Sequence, residues 1–421
     1  MFEYTLSNGV IVSPGKKTHS GNLKIKGDKI ISPEAAGKSV KIDLKEKSFI
    51  YPSLINTHDH LQGNYRPPVG PKKGQFYLTW LPWDSDFKAS KTFAERSNLA
   101  REDLYAFSGY KCLFSGVTTV NDHFPHQLNK NILPALPIRA IQEYCLSHEC
   151  SSYDLKWGDG IEVEHKRAVK NNWPFITHLS EGFDSEAMNS VSVLEKMNIL
   201  DSHCLFIHCI AFSDDDIKKT AKAGASVSWC GRSNMFMFNV TAKIRKMIKA
   251  GVNVTIGTDS SATGSANLLA EIKYDRELYR KLYGEDLAAE KIFRMITVNA
   301  AKAFRMQDKI GALDEGMLGD ILVLKAKYDD PYENLVNADM KDIEFLALAG
   351  KPIYGEMRFL DIFKNQNELP AGYTKIKTGN RTMFVKGDPA GLYIEARKKI
   401  GFKKKLDYLP FEPESMKEEG A

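Results

Sequence analysis

The first 50 residues alternate apolar and polar positions in short bursts. Val10-Ile11-Val12, Leu23-Lys24-Ile25-Lys26, Lys29-Ile30-Ile31 and Val40-Lys41-Ile42 are separated by Ser-Asn-Gly, Lys-Gly-Asp and Gly-Lys-Ser turns. Period-two patterning between turn residues predicts strands. So few short strands cannot close a core alone. The same pattern returns late, at Gly311-Ala312-Leu313, Asp320–Leu324 and Ile343–Leu348, with a turn at Ala349-Gly350-Lys351 before Pro352-Ile353-Tyr354. The two ends are expected to form one composite β-sandwich domain, contributed by residues 1–52 and 310–360.

Between them the rhythm changes to strand followed by helix. Phe49–Ile55, Gly116–Val120, Trp173–Thr177, Cys204–Ile207, Ala225–Trp229 and Val252–Thr258 read as buried strands. Helices are expected at 185–198, from an N-cap at Ser213 through Lys222, and at 243–250 with Gly251 behind it. Alternation of this kind argues for a parallel sheet, and eight units for an α/β fold of the (β/α)8 TIM-type barrel over residues 53–309. The gap from His123 to Phe175 is tight for two such units. Pro137–Tyr144 supplies a third strand and Tyr153–Leu155 a weak fourth, with shortened helices or an irregular wall. Residues 361–421 predict a hairpin (Thr374–Thr378, Thr382–Lys386), a helix from Asp388-Pro389 to before Gly401, and a solvated tail from Lys403 onward.

The strand ends carry the candidate chemistry. His58 and His60 lie two apart at the end of the first barrel strand, so both imidazoles face one side. His178, His208 and Asp259 end three further strands. An isolated His-x-His is usually a surface or core pair; four converging strand ends argue instead for a metal centre. Glu181 reads either as a proton carrier or as a carboxylate at a helix start. His208 can be a satisfied strand-end histidine, and His123 a support, a substrate contact or a structural residue. The loop after His60 carries Gln62, Arg66, Tyr77, Trp80 and Trp83, which suit a flat heterocycle, although Trp80 and Trp83 can equally pack the loop on the barrel. Asn234 or Arg232 could address the ring's edge, so Gln62, Trp83 and Asn234 are the candidate substrate contacts.

Composition narrows the classes. A net charge of +5 over 421 residues is too small and too dispersed for a nucleic-acid surface. Cysteines at 112, 145, 150, 204, 209 and 230 form no C-x-x-C pair, which fits reduced thiols in a cytoplasmic protein. Cys145 and Cys150 flank His148, but at no common zinc spacing. The N-terminus shows no basic stretch followed by an apolar core, and no apolar run approaches the roughly 20 residues that span a bilayer. A small-molecule substrate is the expected partner, with neither nucleic acid nor membrane, and a homo-oligomer stays open. H-E-x-x-H, P-C-x-x-C and a phosphate-binding Walker loop are all missing.

Taken in order, Pro52–His60, Gly116–Val120, His178-Leu179-Ser180-Glu181, Phe206–Ile210, Arg232-Ser233-Asn234, Gly257-Thr258-Asp259-Ser260, Gly319–Leu324 and Gly350–Gly355 resemble the amidohydrolase superfamily. The branch most similar contains guanine and cytosine deaminases and triazine chlorohydrolases. The resemblance runs from about 1 to 360, thinnest at 125–170, and implies the barrel and composite β domain already read from the pattern.

It also implies that His58, His60, His178 and Asp259 ligate one divalent metal per chain, Zn²⁺ foremost and Fe²⁺ compatible. Such an ion lowers the pKa of a bound water from roughly 15.7 to 7. By the same resemblance Asp259 accepts the proton of that water, His208 orients the nucleophile or polarises the substrate, and Glu181 passes a proton to the ring nitrogen or leaving group. The expected activity is deamination of an amino-substituted purine, pyrimidine, pterin or triazine-like ring by metal-activated hydroxide. Hydrolysis of an amide or carbon–halogen bond at the same site is the alternative, and a silent oligomeric scaffold the third reading. Two departures stand out. Gly231 replaces the family's usual Pro before Arg-Ser-Asn, and no bridging Lys is evident on the fourth strand, where Lys156 is the nearby candidate.

Overall fold

The structure is a computed structural model that describes residues 2–37, 39–65, 67–363 and 369–412. The two ends of the chain share one mixed sheet of ten strands. From the N-terminal end come β1 (Glu3–Ile11), β2 (His19–Lys26), β3 (Lys29–Ile31), β4 (Val40–Asp43) and β5 (Ser48–Pro52). β1 is longer than the apolar triplet at 10–12 announces, because Tyr4 and Leu6 alternate inward ahead of a bulge between Leu6 and Gly9. At the bulge Gly9 lies against Ile50, where a Cβ would stand 2.6 Å from the isoleucine Cδ1.

β5 is also the hinge to the next layer. After Ser53 alone the chain enters β6 (Leu54–Asp59), the first of eight parallel strands. β6, β7 (Val117–Asp122) and β8 (Arg139–Ala140) pair in one sheet. A second, ordered β13-β12-β11-β10-β9, holds β9 (Cys145–Glu149), β10 (Phe175–Leu179), β11 (Cys204–His208), β12 (Ser226–Trp229) and β13 (Asn253–Ile256). Nearly every residue of these strands is buried, as parallel strands covered on both faces require. Where β13 ends, Asp259 N–H donates to His58 O at 3.1 Å and Thr57 Oγ1 to Ile256 O at 3.0 Å, which ties it to β6.

Beyond the parallel strands the chain returns to the mixed sheet. β14 (Ile321–Lys325) pairs antiparallel with β5, and β15 (Ile343–Leu348), β16 (Lys351–Glu356), β17 (Tyr373–Thr378) and β18 (Arg381–Lys386) complete it in the order β17-β18-β16-β15-β14. Tyr4, Leu6, Ile50, Ile321, Val323, Phe345 and Phe384 form the core on one face.

Two expectations are corrected. The fourth parallel strand is Cys145–Glu149, not Tyr153–Leu155. Its Cys-Leu-Ser-His-Glu reads as polar because its polar side chains are used inside: Ser147 Oγ donates to Glu149 O at 3.2 Å, and Glu149 Oε2 accepts from Trp80 Nε1 at 2.6 Å. β8 claims only two residues of 137–144, and the helix before it is a single turn, His126–Asn129. The tail is only partly solvated where it is described: Lys403, Lys405 and Glu412 are exposed, but other residues pack inward. Tyr408 and Phe411 are buried, Phe411 edge-on to Phe114, and Lys404 pairs with Glu95 and donates to Tyr65 O at 3.1 Å. Residues 413–421 lie outside the described residues. No helix among those described is long and apolar enough to cross a membrane, and all six cysteines are free.

Candidate active site

The C-terminal ends of β6, β7, β10 and β11 and the turn after β13 bring five histidines and two carboxylates together. Three of the residues that do so sit in the left-handed region at positive φ: His208 (69°), Asp259 (54°) and Ser180 (54°). Non-glycine residues in this region cost of order 1–3 kcal/mol and cluster at functional sites. His58 is wholly enclosed, and among the described residues neither of its ring nitrogens has a hydrogen-bond partner. His60 Nδ1 lies 2.9 Å from His123 O and His178 Nδ1 lies 2.8 Å from His148 O. A carbonyl only accepts, so both rings carry their proton on Nδ1 and leave Nε2 as a lone-pair donor, the tautomer metal-binding histidines adopt.

The donors converge. Ligand atoms of His58, His60 and His178 all lie within 4.8 Å of one another, as do those of His58, His208 and Asp259. Asp259 Oδ1 stands 3.9 Å from His58 Nε2 and 3.8 Å from His60 Nε2. Burial, then neighbouring imidazoles, hold His58 and His178 well below the usual histidine range, so both are neutral and free to coordinate. Burial alone would raise the Asp259 carboxyl, but His60, His208 and the Ser233 hydroxyl outweigh it and keep it below its ordinary range. A buried imidazole with two idle nitrogens beside an ionised carboxylate fits a cation, and three nitrogens with one oxygen suit a borderline ion such as Zn²⁺.

Glu181 follows β10 but begins no helix. Asp184 caps the helix Ser185–Lys196, accepting from Ala187 N at 2.8 Å, which removes the helix-start reading of Glu181. Glu181 is instead buried, 3.5 Å from His208 Nε2, and burial followed by the charges of Asp259 and Glu149 pushes its pKa well above the usual carboxylate range. His208 is set by Asn234, whose Oδ1 lies 2.8 Å from Nδ1.

These groups floor a cavity of about 290 Å³ whose walls carry Trp80, Trp83, Phe87, Phe124 and Trp157. Gln62 lines it and accepts from Arg96. Trp80 and Trp83 both pack and line: the Trp83 indole N–H donates to Val69 O at 2.8 Å, while Trp80 is held by Glu149. Other expected contacts lie elsewhere. Asn234 is behind His208 rather than in the wall, Arg232 lies over the Tyr274 ring at 5.0 Å, and Tyr77 donates to Asp86. Arg66 falls outside the described residues. Lys156 is largely exposed beside Asp154 and takes no part. His123 packs 4.3 Å from the His178 ring and its Nε2–H donates to Ser147 O at 2.9 Å, a supporting place.

Sequence reasoning missed several supports. His148, one residue before the end of the unrecognised β9, lies between Trp80 and Trp157. Asp59, between the two histidines, is fully buried and paired with Lys111 Nζ at 2.8 Å. Ser233 and Thr263 donate to Asp259 Oδ2 at 2.7 and 2.9 Å. An apolar helix carrying one Lys, as at 101–113, is the only sign that could have exposed the Asp59 pair. A further donor set, His165, Asp201 and Cys204, satisfies itself: His165 Nε2 lies 3.1 Å from Asp201 Oδ2 and the Cys204 thiol donates to Ile199 O.

Residues 168–355 match the Amidohydrolase family, and the resemblance read from the sequence is borne out. The 5-methylthioadenosine/S-adenosylhomocysteine deaminase of Caldicellulosiruptor saccharolyticus is 33% identical over 228 residues, covering 50% of this chain and 52% of that protein. The chain thus spans about half the length of the curated relatives it matches at that identity. The 5'-deoxyadenosine deaminase of Methanopyrus kandleri is 24% identical over 402 residues, covering 82% of this chain and 91% of that one. An adenosine deaminase from Xanthomonas campestris, solved with bound Zn, shares the fold with a TM-score of 0.73 at 16% identity, covering 94% of this chain and 98% of that one.

Proposed function

We propose that the chain is a metal-dependent aminohydrolase that releases ammonia from an amino-substituted heterocycle, an adenine-type nucleoside being the first candidate. The observation that carries this is His58, a buried imidazole with no hydrogen-bond partner, ringed by His60, His178 and Asp259. In this reading the eight parallel strands close as a TIM-type barrel at 53–309, through the Asp259–His58 bond at one seam and His123–Ser147 at the other. Residues 1–52 and 310–360 form the composite β domain; within 361–421 the hairpin extends that sheet, while the helix Pro389–Ile400 and the described part of the tail pack on the helix Arg101–Leu113 and Tyr65. His58, His60, His178 and Asp259 hold a single divalent ion, Zn²⁺ before Fe²⁺. When bound, that ion supplies Lewis acidity that makes water nucleophilic near neutral pH.

The chain's own groups divide the proton work. Asp259, kept ionised, takes a proton from the attacking water. His208 has its proton on Nδ1, bonded to Asn234, so its Nε2 accepts a hydrogen bond and orients that water. Glu181, kept protonated by burial, donates to the ring nitrogen as the carbon–oxygen bond forms. The carbon–nitrogen bond then breaks, ammonia leaves with the proton that Asp259 accepted, and the proton shed by the added hydroxyl as the carbonyl forms returns to Glu181. The relatives' names support an adenine ring, and the aromatic walls suit one.

Ammonia release from adenine nucleosides, guanine, cytosine and aminopterins tests the reading. Release from at least one ring class supports it. A metal-loaded protein that frees no ammonia from any of them, yet cleaves amides or halogenated triazines, overturns it.

A further inference from the structure

Two acids have no part in that chemistry. Glu271 and Asp275 lie four residues apart on the helix Leu268–Tyr283, so they share a face, and both are fully buried. That face meets the start of the helix Gly231–Phe238. The first N–H groups of a helix have no partner within it, and here the N-cap, Cys230, makes no side-chain capping bond. Arg232 N–H donates instead to Glu271 Oε1 at 3.0 Å. Asp275 is pressed against Gly231: a Cβ at position 231 would stand 2.0 Å from its Oδ1. Neither Asp275 oxygen has a hydrogen-bond partner among the described residues.

The next two residues along the helix are the ones that matter to the site. Ser233 donates to Asp259 Oδ2 at 2.7 Å, and Asn234 Oδ1 holds His208 Nδ1 at 2.8 Å. Two ionised carboxylates cannot share such a place. Burial, then Glu271, pushes Asp275 well up. Burial raises Glu271 to about 7 against the pull of Ser265, the Arg232 N–H and Lys111.

We propose that Glu271, with Asp275 beside it, is a positioning residue of the active site. It caps, from a neighbouring helix, the turn that aims Ser233 at Asp259 and Asn234 at His208. Gly231 is the space this arrangement requires. Any side chain there displaces Asp275, and a proline would also bring its ring into the same gap.

The kinetic part of the test rests on the aminohydrolase reading; the spectroscopic part does not. Amide exchange at residues 231–234 and the His208 Nδ1–H resonance are measured by NMR on metal-loaded protein, with kcat and KM alongside. In Glu271→Met we expect exchange at 231–234 to rise roughly tenfold, as for a lost helix cap, and the His208 signal to shift. The same change should lower kcat roughly tenfold with KM within about twofold, since it alters the aim of reacting groups and not the cavity wall.

Glu271→Gln keeps an acceptor oxygen and should recover most of both. Gly231→Ala should behave as Glu271→Met, and Gly231→Ala/Asp275→Ala, which relieves the clash, should come back toward the parent. A folded Glu271→Met with parental exchange and His208 signal overturns the proposal, as does Glu271→Gln being equally damaging. If Glu271→Met does not fold, parental exchange in Gly231→Ala overturns it. If exchange responds as expected while even the parent protein frees no ammonia, the positioning role stands and the aminohydrolase reading falls.

Discussion

Lys111→Met is the perturbation whose size the structure defines best. Lys111 Nζ is enclosed, with 1% of its side chain exposed, and it donates to Asp59 Oδ2 and Asn64 Oδ1, both at 2.8 Å, and to Thr258 Oγ1 and Asp259 O, both at 3.1 Å. Methionine nearly keeps the length and loses the charge. Removing one partner of a buried ion pair costs about 3–5 kcal/mol, because the other charge is left uncompensated. Asp59 keeps the Asn64 amide at 2.8 Å and the Thr258 hydroxyl at 3.1 Å, so the expected loss is at the lower end, about 3 kcal/mol. Urea unfolding followed by tryptophan fluorescence measures it as a change in midpoint at constant slope. Lys111→Met/Asp59→Asn no longer buries a lone charge and should lose less than the single variant. A single variant within about 1 kcal/mol of the parent would show that the pair is not the buried support described.

Four further outcomes follow from the same geometry. Glu181→Gln should keep fold and metal while turnover falls by about 10² or more; near-parental steady-state turnover removes Glu181 from the mechanism. Tyr408→Phe deletes a buried hydroxyl that has no hydrogen-bond partner among the described residues, so the variant should be at least as stable as the parent; a melt showing a loss above about 1 kcal/mol contradicts this. The Asp201 carboxyl is driven up by burial but pulled further down, to about 2 from an ordinary 3.8, by His165 and the His203 N–H. A depressed acid stabilises above its unfolded pKa and loses that contribution as pH falls through the folded value. The stability gap between parent and Asp201→Asn should therefore be constant above about pH 5 and shrink between about pH 4 and 2 in acid titrations; a gap that widens there refutes the pairing. Stripping the metal with a chelator should lower Tm, and adding Zn²⁺ back should restore it, as for any ligand that binds only the folded chain.

The parallel strands that patterning located are those with continuous apolar runs, such as Phe175–Leu179 and Cys204–His208, because strands covered on both faces need no polar alternation. β9 was hidden for the opposite reason. Its Ser147 hydroxyl turns back onto Glu149 O, and its Glu149 carboxylate is spent on Trp80, a contact distant in sequence, so the strand looked like a loop. The convergence of His58, His60, His178 and Asp259 was legible because a strand end places its last residue at the mouth of the parallel strands. Asn234 was not, because the chain direction at the start of a helix decides whether an amide faces the cavity or His208. The tail misled in the same way: its charges dominate the pattern, while Tyr408 and Phe411 bury themselves against Tyr65 and Phe114.

The central claim is that His58, His60, His178 and Asp259 hold the ion on which hydrolysis depends. Ammonia release by metal-free protein, titrated with Zn²⁺, tests it most directly. The account predicts negligible release without metal and a rise that breaks at about one equivalent per chain, the stoichiometry of a single catalytic site. Metal-free protein that turns over as fast as the loaded form would contradict it.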